Sequence, residues 1–340
     1  CLSAFWSPAP HPYEAAIDMG YLTLCALLLS AELSLVPENT KRIYLLFFAL
    51  SLLAGFFVLA EEFIFSHPIH RWFNNIPATD ELSENVVKRM VGLFSLVLWP
   101  VAAWLERTRS RVWPIAAILG FLGFSLISTN RSAALGLIAG TAMLFLAYFI
   151  PRTLRRLLTA YIVLGLVFAI PVGLNATRLP PAVMDHLFGS AQYRLKIWHY
   201  TAQHILKAPI FGHGIDSSRG IQTTVGLEGL PQMQVGTYSI SQHPHNVFLQ
   251  LWLDFGVVGV VLWGALMIIA VRSIRVLPKD MQPYALGLAA CSLAMLSTTF
   301  SPLQAWWAAG HIAAGLMFML AAQSRSSSTG ISGTSAGGIG

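Results

Sequence analysis

QHPHNVFLQLWLDFGVVGVVLWGALMIIAVRSIR, residues 242–275, sets a polar pentapeptide against an apolar run that extends from 246 to 271 and closes on Arg272 and Arg275. A helix rises about 1.5 Å per residue, so about 20 apolar residues cross the hydrocarbon core of a bilayer. This stretch is long enough to do so. Working outward from it, further apolar runs lie at 17–36, 43–64, 87–105, 112–128, 133–150, 157–174, 281–300 and 304–322, for nine expected spans. Ala133, Ala134, Gly136, Ala139 and Gly140 make one of them rich in small residues, which suits close helix packing inside a bundle.

The composition agrees. Of 340 residues, 55% are hydrophobic and only 11% charged, with a mean hydropathy of +0.63. Soluble domains carry about a quarter charged residues, and no water-exposed surface can be covered with so few. The fold class expected is all-α, a polytopic membrane helix bundle. Cys1, Cys25 and Cys291 form no spaced pair, so neither a disulfide framework nor a thiolate metal site is indicated.

The formal charge of +6 is unevenly placed. Lys41 and Arg42, then Arg107, Arg109 and Arg111, then Arg152, Arg155 and Arg156, then Arg272, Arg275 and Lys279 fill four short loops on alternating connections. With Arg325 they account for twelve of the 21 Lys and Arg, and the positive-inside rule puts them on the cytoplasmic side. Counting back, Cys1 falls outside and an odd number of helices is expected upstream of it. The Ser- and Gly-rich tail, 324–340, reads as a disordered cytoplasmic end. The expected organisation is membrane helices over 1–174, an outer loop region over 175–245, membrane helices over 246–323, and the tail.

Two outer segments remain. The first, about 65–86, holds His67, His70, Arg71 and Trp72; the second runs from Asn175 to His245. Within the second, Met184 to Lys207 is expected to form one amphipathic helix, mixing Leu187, Tyr193, Ile197, Trp198 and Ile205 with Arg194, Lys196 and three His. A turn-rich stretch follows, with Gly212, Gly214, Asp216, Ser217, Ser218 and Gly220, then Gly226, Gly229 and Pro231.

Three features could carry chemistry. Gln242-His243-Pro244-His245-Asn246 stands at a helix entrance, where unpaired backbone N–H groups and the positive end of the dipole disfavour imidazolium. His245 is therefore expected to stay neutral and able to accept a proton. The plainer alternative is that His245 or Asn246 caps the helix and His243 sits at the interface. His243-x-His245 and His67-x-x-His70 also have metal-ligand spacing, but no third ligand is identifiable.

Arg131, in Ser128-Thr129-Asn130-Arg131-Ser132, interrupts an apolar stretch and either snorkels to headgroups or faces an anion. Arg194 precedes Trp198 by one helical turn, so guanidinium and indole share a face that suits a phosphate beside a sugar, or equally a membrane-interface anchor. Lys196 and Arg219 could add charge. No Asp-x-Asp or Glu-x-Asp occurs in the outer segments, where the acidic pairs are Glu61-Glu62 and Asp80-Glu81, so a phosphate-handling divalent cation lacks its usual ligands. Phosphate-loop, dinucleotide and Gly-x-Ser-x-Gly motifs are absent from the sequence, which argues against nucleotide-driven chemistry; neither cofactor nor nucleic-acid partner is indicated.

His245-Asn246, nine residues, then Gly256-Val257-Val258-Gly259 resembles the H-N-x9-G-x-x-G signature of bacterial O-antigen ligases. Ser128-Thr129-Asn130-Arg131 resembles the Arg-bearing helix end of that family, with Asn130 where Ser is more usual. Arg194 to Trp198 resembles its Arg-x-x-x-Trp, and Phe211-Gly212-His213-Gly214-Ile215 its Gly-x-Gly turn. The resemblance covers about 112–271 in the family's order.

It implies a glycosyltransferase-C-like helix bundle in the bacterial inner membrane, with a large periplasmic loop and a site facing the periplasm. The implied reaction moves a polysaccharide from undecaprenyl diphosphate to the lipid A core, without metal and with inversion. Arg131 and Arg194 would bind the diphosphate, and His245 would orient or deprotonate the acceptor hydroxyl. Asn246 and His243 would assist at the substrate, and Trp198 and Tyr193 would line an opening to membrane lipids. Gly256 and Gly259 are expected to permit tight helix packing under the site. An O-antigen polymerase or a protein O-oligosaccharyltransferase would share these residues. A lipid-linked glycan transporter would instead require charge deeper in the spans.

Overall fold

The computed structural model describes residues 2–66, 68–77, 88–128, 130–187, 189–221 and 243–324. Cys1, His67, Asp80-Glu81, Thr129, Gly226, Gly229, Pro231, Gln242 and the tail beyond Ser324 lie outside the described residues.

Twelve α-helices follow in order among them: α1 Pro12–Leu35, α2 Glu38–Ile64, α3 Pro68–Asn74, α4 Lys88–Thr108, α5 Val112–Ile127, α6 Arg131–Ala147, α7 Pro151–Asn175, α8 Pro181–His186, α9 Gly189–Ile205, α10 Val247–Ser273, α11 Gln282–Leu296 and α12 Ala305–Gln323. Each apolar run in the sequence contains a helix among the described residues. Six helices (α1, α2, α4, α7, α10 and α12) are long and apolar enough to cross a membrane, while α5, α6 and α11 are apolar but shorter. The chain is an all-α polytopic bundle.

Side-chain contacts separate two ends of that bundle. At one, Arg107 pairs with Asp280 at 3.0 Å and donates to the Ala321 carbonyl, Arg155 donates to Gln282 at 3.2 Å, and Tyr148 donates to Glu106 at 2.8 Å. At the other, Asn130 donates to the Lys88 carbonyl at 3.2 Å, and Ser7 reaches the Ile215 carbonyl at 2.6 Å. The three Arg-bearing loops after α4, α6 and α10 thus gather at one end, as their alternation predicts.

The centre is built on close approach. A β-carbon on Gly140 of α6 would stand 2.3 Å from the Trp99 ring of α4 and 2.8 Å from the Gly287 carbonyl of α11. Only hydrogen fits there, which lets α6 and α11 pack backbone to backbone with Trp99, fully buried, wedged beside them. The small-residue pattern of α6 has this physical use, and its Ala133, Ala134, Gly136 and Gly140 are buried.

Three elements differ from their sequence-based expectation. The single amphipathic helix over 184–207 is two, because Leu187 is extended (φ −77°, ψ 141°) between α8 and α9, and α9 buries Ile197, Ala202 and Ile205 against the bundle. Helix α11 stops at Leu296 rather than 300: the amides of Thr298, Thr299 and Phe300 all turn back on the Met295 carbonyl.

The third is the apolar run over 246–271. Helix α10 is broken at Gly256 (φ 59°, ψ −158°), a conformation that L side chains avoid. Residues 209–214 stitch the break: the Leu253 and Asp254 carbonyls accept from His213 and Gly214 at 2.8 and 2.9 Å, and Val257 and Val258 donate to the Pro209 and Ile210 carbonyls. A β-carbon on Gly256 would lie 2.4 Å from the Ile210 carbonyl, so this glycine admits a loop rather than a neighbouring membrane helix. Gly259 makes room for Phe255, whose β-carbon would otherwise be 2.0 Å away.

Candidate functional site

The three short helices share one property: α5 ends, α6 begins and α11 ends at the same place. At 15 to 17 residues each, they reach about 23 to 26 Å, against about 30 Å for a hydrocarbon core. Their other ends lie with the Arg loops, where Glu106, Tyr148, Asp280 and Gln282 meet. The shortfall therefore falls wholly on the opposite side. Tyr161, in mid-α7, bonds Ser297 just past the end of α11 at 2.8 Å, which leaves fourteen residues of α7 rising beyond that level. Helix α9 packs on this upper part, where Gly173 faces the Trp198 carbonyl. The result is a recess with a floor of short-helix ends and a wall of α7 and α9.

The floor is organised by Thr299. Its carbonyl, released from the end of α11, accepts from His243 Nε2 at 2.6 Å and from His245 Nδ1 at 2.9 Å, and the two rings stand 4.4 Å apart. Its hydroxyl bonds Ser132, the residue after Arg131 on the first turn of α6. Ser132, beside Arg131, and the His243 and His245 pair, distant in sequence, thus meet at one threonine. Arg131 itself is exposed at the start of its helix.

Donation from Nδ1 fixes the His245 tautomer and leaves the lone pair on Nε2. Burial pushes the His245 imidazole down to about 3, the His243 ring and the Arg194 guanidinium push the same way, and only the bond to Thr299 opposes them. Burial therefore favours the neutral imidazole for which the sequence offered only the helix entrance as a cause. Burial lowers His243 as well, aided by Arg219 and Arg194. Backbone conformation also marks His245: its φ of 55° is uncommon outside glycine and persists only where the surroundings hold it.

Asn246 holds it from the other side. Its Oδ1 accepts from Phe248 and Leu249 at 3.0 and 3.3 Å, capping α10. That side-chain oxygen is engaged with backbone, which is the plainer of its two expected roles. Trp198 donates from Nε1 to the Pro244 carbonyl at 3.0 Å, tying α9 to the histidine pair. One turn earlier on the same face, Arg194 is half-buried and its guanidinium is destabilised by desolvation. Tyr193 lies a hundred degrees round the helix from Arg194, half-buried, and burial raises its phenol.

Below the pair, an apolar cavity of about 630 Å³ opens between α1, α10, α11 and α12, lined by Met19, Val247, Trp263, Met267, Leu277 and His311. It starts two residues from His245 and reaches the opposite end. Among the described residues no three His, Cys, Asp or Glu side chains stand together as a metal cluster.

Sequence reasoning missed Thr299 and Ser132. Ser297-Thr298-Thr299-Phe300-Ser301 breaks an apolar stretch just as Ser128 to Ser132 does, and that parallel was the available signal.

Residues 115–264 match the sequence model of a family described as O-antigen ligase. That segment runs from α5 through α10 and contains Arg131, Arg194, His243 and His245; Thr299 lies beyond it. The chain is also similar to proteins named "Putative polysaccharide ligase" in three rickettsiae. It is 29% identical to that of Rickettsia bellii over 67% of this chain and 56% of the relative. For Rickettsia typhi the identity is 27%, over 52% and 44%, and for Rickettsia prowazekii 24%, over 75% and 62%. The chain thus spans about half the length of the relatives it matches. No solved structure matches it. Residues 115–264, which supply Arg131, Arg194, His243 and His245, are thus similar to the O-antigen ligase family.

Proposed function

We propose that this chain transfers a polysaccharide from undecaprenyl diphosphate to a sugar of the lipid A core at the periplasmic face of the bacterial inner membrane. The observation that carries the proposal is the single-carbonyl junction at Thr299, which holds the His243 and His245 pair beside Ser132, the neighbour of Arg131, while Trp198, one turn from Arg194, bonds Pro244 between the two histidines. Arg131 and Arg194 bind the donor's diphosphate and offset the charge that grows on it as the bond to the anomeric carbon breaks. The acceptor hydroxyl attacks that carbon from the opposite face, its proton passes to His245 Nε2, and undecaprenyl diphosphate leaves with inversion at the sugar.

The recess suits substrates that stay in the membrane. Its floor lies below the headgroup plane, so a diphosphate can meet the arginines while its isoprenoid remains in hydrocarbon, and the apolar cavity beside Val247 accepts part of that chain. His243 holds the shared carbonyl, Asn246 sets the start of α10, and Trp198 and Tyr193 flank the opening. Guanidinium groups supply the positive charge, so the reaction needs no metal.

Exchanging acceptors tests the proposal. Purified protein with undecaprenyl-diphosphate glycan is offered lipid A core, a second donor molecule or an acceptor protein. Product on lipid A core alone is expected. Chain extension on the donor would make the protein a polymerase, and glycosylated protein would make it an O-oligosaccharyltransferase.

A further inference from the structure

Tyr161 lies in mid-α7 and takes no part in the transfer chemistry above, yet it touches both parts of the structure that hold His245. Its hydroxyl shares a 2.8 Å hydrogen bond with the Ser297 hydroxyl, at the end of α11. Its ring packs edge-on against Phe248 with centroids 5.7 Å apart, and the Phe248 amide donates to the Asn246 side chain that caps α10. One phenol thus bears on the turn that carries the Thr299 carbonyl and on the first turn of the helix that His245 precedes.

The turn over 297–300 is not fixed by its own backbone. The amides of Thr298, Thr299 and Phe300 converge on the Met295 carbonyl at 3.3, 2.8 and 3.1 Å, and a carbonyl oxygen offers two lone pairs to these three donors. The Thr298 hydroxyl only turns back to Ala294 of its own helix, at 2.8 Å. Bonds to other helices come from Thr299, to Ser132 of α6, and from Ser297, to Tyr161 of α7. The Thr299 carbonyl that these bonds steady takes both His243 at 2.6 Å and His245 at 2.9 Å. A carbonyl that swings away releases the Nδ1–H of His245, and with it the tautomer that keeps the lone pair on Nε2.

We propose that Tyr161 is a positioning residue for His245, acting through Ser297 and the Thr299 carbonyl. This rests on the transfer proposed above, in which His245 Nε2 takes the acceptor proton. Tyr161 touches no substrate. Without its hydroxyl the turn loses its tie to α7 and the Nδ1 bond loosens. The chemical step then slows while donor binding stays, because Arg131 and Arg194 are carried by α6 and α9.

The test reads KM and kcat for transfer by the protein in nanodiscs. Separately, nitrogen NMR of histidine-labelled protein without substrate reads the tautomer of His245, its signals assigned by difference from His245→Gln. Tyr161→Phe, which keeps the ring against Phe248, and Ser297→Ala are each expected to lower kcat about tenfold with donor KM changed less than about twofold. Both are expected to populate the Nε2–H tautomer of His245 beside the Nδ1–H form of the wild type. The double variant should fall no more than about twofold below either single one, since both remove the same bond. Ser297→Thr, which keeps a hydroxyl, restores most of kcat. A role confined to stability would lower Tm and leave the tautomer and the kcat of folded protein unchanged; that result would overturn the proposal, as would losses that multiply or that appear in KM alone. Should Ser297→Ala fold poorly, Tyr161→Phe carries the test by itself. Wild-type protein that transfers nothing, while Tyr161→Phe still shifts the tautomer, would overturn the transfer reading and leave this one standing.

Discussion

At the residue scale the site turns on the protonation of one imidazole. His245 is held neutral by burial, by His243 and by Arg194, with its pKa pushed down to about 3. An ordinary histidine is half protonated near pH 6.5. The rate, measured as kcat/KM, is therefore expected to stay flat from pH 8 to about pH 5, and an acidic limb centred between 6 and 7 would contradict this assignment. The same depression has a stability consequence. Below about pH 6.5 the unfolded chain binds a proton that the folded chain refuses, so His245 costs stability progressively as pH falls from there toward its folded value. Arg194→Ala removes charge from the diphosphate and from the imidazole surroundings at once. It is expected to lower kcat/KM by about a hundredfold or more with folding intact, read from transfer rate and thermal melting together.

Among elements, the informative ones are those that break a pattern. Arg131, Arg194 and His245 were legible because each interrupts an apolar or periodic stretch, and the nine apolar runs were legible because hydrocarbon demands length and composition together. The glycine at 256 was visible but its use was not: a break in α10 is stabilised by four backbone bonds from residues 209–214, partners that periodicity cannot announce. Thr299 escaped for a similar reason, since its function resides in a backbone carbonyl that every residue possesses. The division into α8 and α9 turns on Leu187, whose apolar side chain continues the helical pattern while its backbone does not. By contrast the small residues of α6 carried their meaning openly. Gly140→Val would drive a side chain into Trp99 and the Gly287 carbonyl, and is expected to cost about 1 to 3 kcal/mol by prising α6 from α11. Because Ser132 and Thr299 ride on those two helices, transfer should fall with stability, measured as lower Tm and lower specific activity in the same preparation.

For the whole molecule, unequal helix length is the organising fact. Six helices are long enough to cross, whereas α5 and α11 end, and α6 begins, near Arg131 and Thr299. Charge is sorted the same way: loops dense in arginine gather at the far end, and Arg194 is half-buried one turn from the Trp198 that bonds Pro244. In the proposed transfer, a recess so placed would let reacting groups meet without drawing lipid anchors out of the membrane. In the proposed mechanism His245 assists a transfer powered by the donor's own diphosphate, with guanidinium groups in place of metal. Its most direct test is transfer by purified protein supplied with undecaprenyl-diphosphate glycan and lipid A core, in EDTA and without nucleotide, comparing wild type with His245→Ala. Product from wild type, and a rate at least about a hundredfold lower from a folded His245→Ala protein, is the predicted result; equal rates from the two, or a wild-type reaction stopped by EDTA, would contradict it.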